Sequence, residues 1–273
     1  MEIRELTYFR AVAEELNFSR AAERLGIAQP PLSRAISRLE RRLGVTLFDR
    51  DTRRVSLTTA GEVLLVEAAH VLDAVTAATH RTQRAGGNLV ATAKPGIAST
   101  LLRKVVAAYD GPVEVLVSGF GEQTDLVRTG RADVALIGSP RKDIDAGLDF
   151  AELTTEPQLA ALPAGHALAA RTTLATADLA GHPVPRRRRA EGDGPEISDH
   201  AQLLEVVALG QAVALVPASF AELNQRNDLA YRPVSDAPPY TIFVTWPAGS
   251  HDRRVAAFVR TATDLIEKAV APG

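Results

Sequence analysis

The chain has 273 residues, 46% of them hydrophobic and 23% charged; these proportions exclude wholesale disorder, and the length exceeds what one hydrophobic core organises, so at least two domains are expected. The absence of cysteine removes disulfides, thiolate metal sites and cysteine nucleophiles. The net charge of −2 conceals an asymmetry: residues 1–60 hold eleven arginines against eight acids, a net of +3, while the remainder holds twenty basic residues against twenty-five acids, a net of −5. Seven of those arginines, against three acids, fall within residues 28–54, a concentration suited to phosphate contacts on one module. No apolar run reaches the roughly 18 residues of a membrane span. The opening MEIRELTYFR is charged and amphipathic rather than secretory, so a cytoplasmic location without a membrane partner is expected.

In chain order, Leu6, Phe9, Val12, Ala13 and Leu16 recur at helical spacing and predict an amphipathic first helix. Asn17 and Phe18 interrupt it, and Ser19 is placed to cap a short second helix through Glu23 to Leu25, which Gly26 ends in a tight turn. Gln29, Pro30 and Pro31 open a third helix to about Leu43, since proline is tolerated in a first turn, where its missing N–H would have no partner. Leu32, Ala35, Ile36 and Leu39 make its buried stripe, and Gln29, Ser33, Arg34, Ser37 and Arg38 fall away from it. This is the layout of a helix-turn-helix, in which the start of the later helix meets base edges and Gln or Arg can make bidentate contacts, with Gln29 and Arg34 the best readers. Periodicity alone fits an ordinary three-helix bundle equally well. The alternating β-prone stretch Arg53, Arg54, Val55, Ser56, Leu57 and Thr58 breaks the tie, because it predicts a small wing beside the helices.

From Gly61 to about Arg84 the sequence is proline-free, with Leu64, Ala68, Val71, Val75 and Ala78 at alternating four and three spacing, a coiled-coil-like seam or else a helix packed on its own chain. Gly86, Gly87 and Asn88 end it. Beyond, VEVLVSG, a polar helix from Glu122 to Thr129, ADVALIG and later TIFVTW give α/β patterning.

The run AAERLGIAQPPLSRAISRLERRLGVTLFDRDTRRVSLTTAG, residues 21–61, closely resembles the helix-turn-helix signature of LysR-type transcriptional regulators. KPGIAST at 94–100, GRADVALIG and VALGQAVALVP at 207–217 resemble elements of the same family's effector domain, with Leu209, Gln211 and Ala212 departing from its pattern. The resemblance implies an α/β protein: a winged helix-turn-helix over 1–60, a linker helix over 61–86 that pairs two subunits, and a periplasmic-binding-protein-like effector domain over 87–273. Its subdomain I would be 87–156 with 236–273 and its subdomain II 157–235. It implies that Gln29, Pro30, Pro31, Ser33 and Arg34 lie at the DNA, with Ser37 and Arg38 on the same face, and that Arg50, Arg53, Arg54 and Thr58 meet the backbone or minor groove. Ala28 stands where many relatives have a serine cap, a loss of roughly 1 kcal/mol. By alignment to the family's cleft loops, the effector contacts would be Lys94, Gly96, Ser99, Thr100, Phe120, Ser139, Ser198 and Asp199, each of which also suits a cap or turn. The stretch 185–199 is the least typical. Its four arginines at 186–189 suit an anion site, but flanking proline and glycine favour a solvated loop.

No constellation of an enzyme is present. His70, His80, His166, His182, His200 and His251 lack metal-ligand spacing, Ser198, Asp199 and His200 are adjacent rather than arranged as a triad, and GFGEQT is too weak a glycine motif to count. Neither catalytic or metal site nor cofactor is expected. The expected function is a sequence-specific DNA-binding transcriptional regulator whose promoter binding or bending is modulated by a small-molecule effector. Its partners would be promoter DNA, that effector, a second copy in a homodimer or homotetramer, and RNA polymerase. A secreted solute-binding protein would share the second-half fold but lack the helix-turn-helix; an architectural DNA binder with a vestigial, unresponsive sensor is the remaining alternative.

Overall fold

The computed structural model describes residues 1–51, 54–138, 147–187 and 193–270, in two compact units, Met1–Gln83 and a second from Arg84 onward. In the first, α1 (Ile3–Glu15), α2 (Phe18–Arg24) and α3 (Gln29–Leu43) precede an antiparallel hairpin of β1 (Phe48–Asp51) and β2 (Arg54–Leu57), followed by the long α4 (Thr59–Gln83). Two sequence expectations are corrected at the α1–α2 corner. The α1 helix ends at Glu15, and Leu16 takes a left-handed φ of 46° and is 46% exposed, so it leaves the core stripe. The cap of α2 is Asn17, not Ser19: the Asn17 Oδ1 accepts from the Ser19 and Arg20 amides at 2.9 and 3.0 Å. A cap needs the extended backbone just outside the helix, which Asn17 has at φ −155° and ψ 116°, whereas Ser19 sits inside the first turn, where its own amide needs an acceptor.

The core of this unit is aromatic at its centre. Phe48 meets Phe9 at 5.4 Å and the edge of Phe18 at 5.8 Å, and Leu32, Ile36 and Leu39 of α3 are fully buried against them. Two carboxylates, buried Glu5 and half-buried Glu40, fix the orientation of α3. Glu5 of α1 accepts from the Glu2 amide at 2.9 Å and pairs with Arg42 in the last turn of α3. Burial pushes the Glu5 carboxyl up, but the Glu2 amide and the Arg42 guanidinium more than offset this and hold it below its usual value. Glu40 accepts from the Leu47 and Phe48 amides at 2.9 and 3.3 Å and from Arg50 at 3.0 Å, tying the hairpin to α3.

The entry to α4 explains the LTTAG sequence. Thr58 Oγ1 donates to the Thr46 carbonyl at 2.7 Å and accepts from the Gly61 amide at 3.0 Å. A Cβ on Gly61 would fall 2.2 Å from the Leu47 carbonyl oxygen, so only glycine lets the helix pass. The seam read from sequence divides in two. Leu64 and Ala68 turn toward the unit's own core together with Leu72, while Val71 and Val75 are 39% and 38% exposed and Ala78 is exposed as well.

The second unit contains two sheets. The larger, in order β4 (Val113–Val117), β3 (Leu89–Ala93), β5 (Val134–Gly138), β12 (Tyr240–Pro247), β6 (Leu148–Glu156), is parallel across its first three strands. The late strand β12 inserts antiparallel between β5 and β6. Helices α5 (Ile97–Ala108) and α9 (Arg253–Val270) share one core with this sheet, where Tyr109 meets Phe258 at 5.4 Å, and α6 (Gln123–Arg128) belongs to another. The polar helix read as Glu122 to Thr129 is one residue shorter at each end. The smaller sheet places β7 (Gln158–Pro163) between β10 (Ala214–Pro217) and β11 (Leu229–Pro233), both antiparallel to it, with α7 (His200–Ala208) and α8 (Ala218–Leu223) packed on it. The start of the four-arginine run is not the plain loop expected: Arg186–Arg187 form β8, paired in parallel with β9 (Glu196–Ile197), and Arg186 bonds Glu196 at 3.1 Å. Arg188 and Arg189 lie outside the described residues.

Gly61→Ala is expected to destabilise the first unit by about 2–3 kcal/mol, because the clash is with backbone that cannot turn aside, read as a lowered thermal midpoint of that unit; an unchanged midpoint would refute the close approach. Glu5→Gln should cost about 1 kcal/mol at pH 7, since Arg42 is partly solvated. With its folded pKa depressed, Glu5 contributes stability above the ordinary value of 4.5 and loses it as pH falls through the lower folded value. The gap between variant and wild type in urea unfolding should therefore shrink at pH 3, and an equal gap at both pH values would remove Glu5 from this role.

Candidate nucleic-acid interface and ligand cavity

On α3, Gln29, Pro30, Pro31, Arg34 and Arg38 are exposed and Ser33 and Ser37 half-buried, above the buried stripe of Leu32, Ala35, Ile36 and Leu39. This face carries uncompensated charge. Arg24 is engaged by Glu14 and Glu15, Arg42 by Glu5 and Arg50 by Glu40, whereas Arg34, Arg38 and Arg54 are in no ion pair among the described residues. Arg50 also lies 4.7 Å over the Phe18 ring, so it is held by its own domain on two sides. The Thr58 hydroxyl is committed to the Thr46 carbonyl and the Gly61 amide. Arg53 lies outside the described residues.

In the second unit a cavity of about 460 Å³ opens between the two sheets. The larger sheet contributes Lys94 from the end of β3, Phe120 from the loop after β4 and Tyr240 from the start of β12; the smaller lobe contributes His200 and Leu203 of α7, Phe220 of α8 and the run Val213–Pro217. His200 is the wedge of this arrangement. Its ring stands 4.6 Å from Phe120 at 76° and 4.8 Å from Phe220 at 42°, and a Cβ on Gly96, at φ +111°, would come within 3.4 Å of its Cε1. Lys94 Nζ sits 4.9 Å over the Phe120 ring of the same cluster. Tyr240 is fitted to a bare backbone, since a Cβ on Gly138 would lie 2.0 Å from its hydroxyl oxygen. The Thr176 wall is pinned by Asp236, which accepts from the Thr176 hydroxyl and amide, both at 2.7 Å. Those bonds hold the Asp236 carboxyl below its usual value.

Of the cleft residues expected from sequence, Lys94 and Phe120 line the cavity. Gly96, Ser99 and Thr100 build the first turn of α5, where both hydroxyls donate to the Gly96 carbonyl, at 2.7 and 3.3 Å. Asp199 caps α7 through the Gln202 amide at 2.8 Å, and Ser198 bonds Gln202 Oε1 by its amide and hydroxyl at 2.7 and 3.0 Å; together they aim the next residue, His200. Ser139 lies outside the described residues. Sequence reasoning missed His200, Phe220 and Tyr240, and the one signal that could have found His200 is the aspartate cap immediately before it. The departures at Leu209 and Gln211 fall on exposed positions beyond α7, while Ala212 is buried. No helix among the described residues is long and apolar enough to cross a membrane, and among them no group of three His, Asp or Glu could hold a metal ion.

Residues 3–62 match the bacterial regulatory helix-turn-helix protein, lysR family, and residues 82–266 match the LysR substrate binding domain. The chain is 29% identical to the Hca operon transcriptional activator HcaR of Escherichia coli, over 99% of this chain and all of that protein. It is 32% identical to the HTH-type transcriptional regulator IlvR of Caulobacter vibrioides, over 97% and 98% of the two chains. Among solved structures, full-length BenM superposes with a TM-score of 0.54 at 25% identity, covering 98% of each chain. CbnR complexed with its target DNA shares the fold, with a TM-score of 0.57 at 23% identity over 99% of this chain and all of that one. The chain therefore belongs to the LysR family: it is a DNA-binding transcriptional regulator with an effector-binding domain, not an enzyme.

Proposed function

We propose that the DNA-binding domain is residues 1–60 and that α3 reads the major groove, with Gln29 and Arg34 at base edges and Pro30, Pro31, Ser33, Ser37 and Arg38 along the same face. Arg53 and Arg54 of the hairpin would contact phosphates or the minor groove. Arg50 and Thr58 serve this surface from behind, Arg50 by locking hairpin to α3 and Thr58 by capping α4. The observation that carries the assignment is the exposed, unneutralised arginine face of α3 above a fully buried stripe.

The helix over 61–86 pairs two copies through the exposed valine face of α4, so that two α3 helices address related half-sites. Residues 87–273 form the effector domain, with one subdomain of 87–156 and 236–273 and the other of 157–235, and the cavity between them holds the effector. A ligand there alters promoter binding or bending, and contact with RNA polymerase, only to the extent that it binds one arrangement of the protein more tightly than another.

Arg34→Ala should weaken operator binding by about 1–3 kcal/mol, from roughly fivefold to more than a hundredfold, while leaving binding to unrelated DNA within a small factor. Fluorescence anisotropy at one stated salt concentration measures both, because salt sets apparent affinity, and a parallel loss on both DNAs would demote Arg34 to a phosphate contact. A Val71→Asp, Val75→Asp double variant, which spares the Leu64 and Ala68 core contacts, is expected to run as a monomer in light scattering; a persistent dimer would assign pairing to another surface.

A further inference from the structure

Resting on the reading of α3 as the helix that enters the major groove, we infer a second contact on it: Arg41, near the far end, holds a backbone phosphate of the same DNA whatever its sequence. Pro30, Arg34, Ser37 and Arg41 recur at spacings of four, three and four, so they form one ridge opposite the buried stripe of α3. Arg41 is exposed and, like Arg34 and Arg38, is in no ion pair among the described residues. At the positions three and four residues from each of these arginines, α3 and the turn after it offer no carboxylate, the partner that such spacing favours. Arg34 and Arg38, and Arg38 and Arg41, instead face one another as like charges, which weakens a helix until an outside anion relieves it. Arg42 is the contrast: it shares the last turn with Arg41, but Glu5 neutralises it.

Helix length places this contact. The fifteen residues of α3 span about 22 Å, against a major groove about 12 Å wide. With Gln29 and Arg34 at base edges, a helix that crosses the groove carries its last turns to the bordering backbone. Arg41 lies about 10 Å beyond Arg34 along the axis, which is that border. The chemistry agrees, because a phosphate asks only for a positive charge with a donor, without the bidentate geometry that a base edge demands. A guanidinium with no partner in its own chain gives up no ion pair on binding, and the phosphate it neutralises releases condensed counterions. A cation in the last turn also complements the helix dipole, but that role moves the stability of the domain and leaves DNA binding untouched.

The test is fluorescence anisotropy of the full-length protein across a salt series on two duplexes, one enriched from a random pool by repeated selection and one of scrambled sequence and equal length. Arg41→Gln should weaken binding to both by the same factor, about three- to tenfold, and make the fall of log K with log salt shallower by about 0.9 for each protomer on the DNA. Arg41→Lys should restore both values, because a phosphate accepts any well-placed cation; thermal melts establish that each variant is folded. An unchanged slope in Arg41→Gln would overturn the inference and leave Arg41 a complement to the helix dipole. A loss confined to the selected duplex, or one that Arg41→Lys does not restore, would overturn it in favour of base reading. Arg34→Ala, measured alongside, separates the inference from the reading on which it rests. Lost sequence preference in Arg34→Ala with no effect of Arg41→Gln keeps α3 at the bases and removes the phosphate contact. A shallower slope in Arg41→Gln with preference intact in Arg34→Ala keeps the phosphate contact and removes base reading by Arg34.

Discussion

The cavity depends on a covalent constraint: among the described residues, the chain passes between the two sheets of the second unit twice. It leaves through Pro157, between β6 and β7, and returns between Pro233 and Tyr240 to thread β12 into the middle of the first sheet. Two lobes joined by two short strands of chain must have a cleft between them unless side chains fill it. Bonds at the crossings then fix how the lobes meet. Gln158 Nε2 donates to the Pro238 carbonyl at 2.8 Å, Glu156 accepts from the Ser219 amide and hydroxyl at 2.8 and 2.5 Å, and Asp236 holds Thr176. Further out, the Phe120 and His200 rings meet across the walls at 4.6 Å. The same topology that makes the sheet continuous thus brings residues more than a hundred positions apart onto one small volume.

The first unit solves a different problem, that of presenting one helix face rigidly. Arg34 and Arg38 on the outward face of α3 are in no ion pair among the described residues, so placement comes from the buried stripe and from two carboxylates. Glu5 secures the far end of α3 to the start of α1, and Glu40 draws the hairpin against α3 through two backbone amides and Arg50. Both acids are spent on structure. The arginines they neutralise, Arg42 and Arg50, are accordingly less available to a polyanion than Arg34, Arg38 and Arg54. Net charge alone would have treated all five alike.

How much was legible in the sequence follows the range of the interactions. The α3 stripe and its outward face follow from spacing within one helix, and the proline pair marks its start, so both could be read locally. The caps were read less well because Asn17 and Ser19 are both good capping types, and choosing between them requires knowing which residue stands outside the helix. The seam on α4 was mixed for a similar reason: a heptad pattern does not say whether Leu64 and Ala68 face the helix's own domain or a second copy, and here the core of the first unit claims them. The cavity was the least legible. Lys94 and Phe120 lie in loops after strands, where ligand sites are expected, but His200, Phe220 and Tyr240 meet only through the return of the chain. Unusual sequence at Leu209 and Gln211 misled in the opposite direction, since exposed positions tolerate change without altering the pocket.

An apolar cleft built in this way can act as a sensor because its walls come from both lobes, Phe120 and Tyr240 from the larger sheet's side and Leu203 and Phe220 from the smaller lobe. A ligand that touched both walls would bind most tightly at one separation of the lobes and less tightly when they part or slide, which is the differential binding that any effect on DNA requires. A ligand that contacted one wall alone would bind every arrangement about equally and shift none of them.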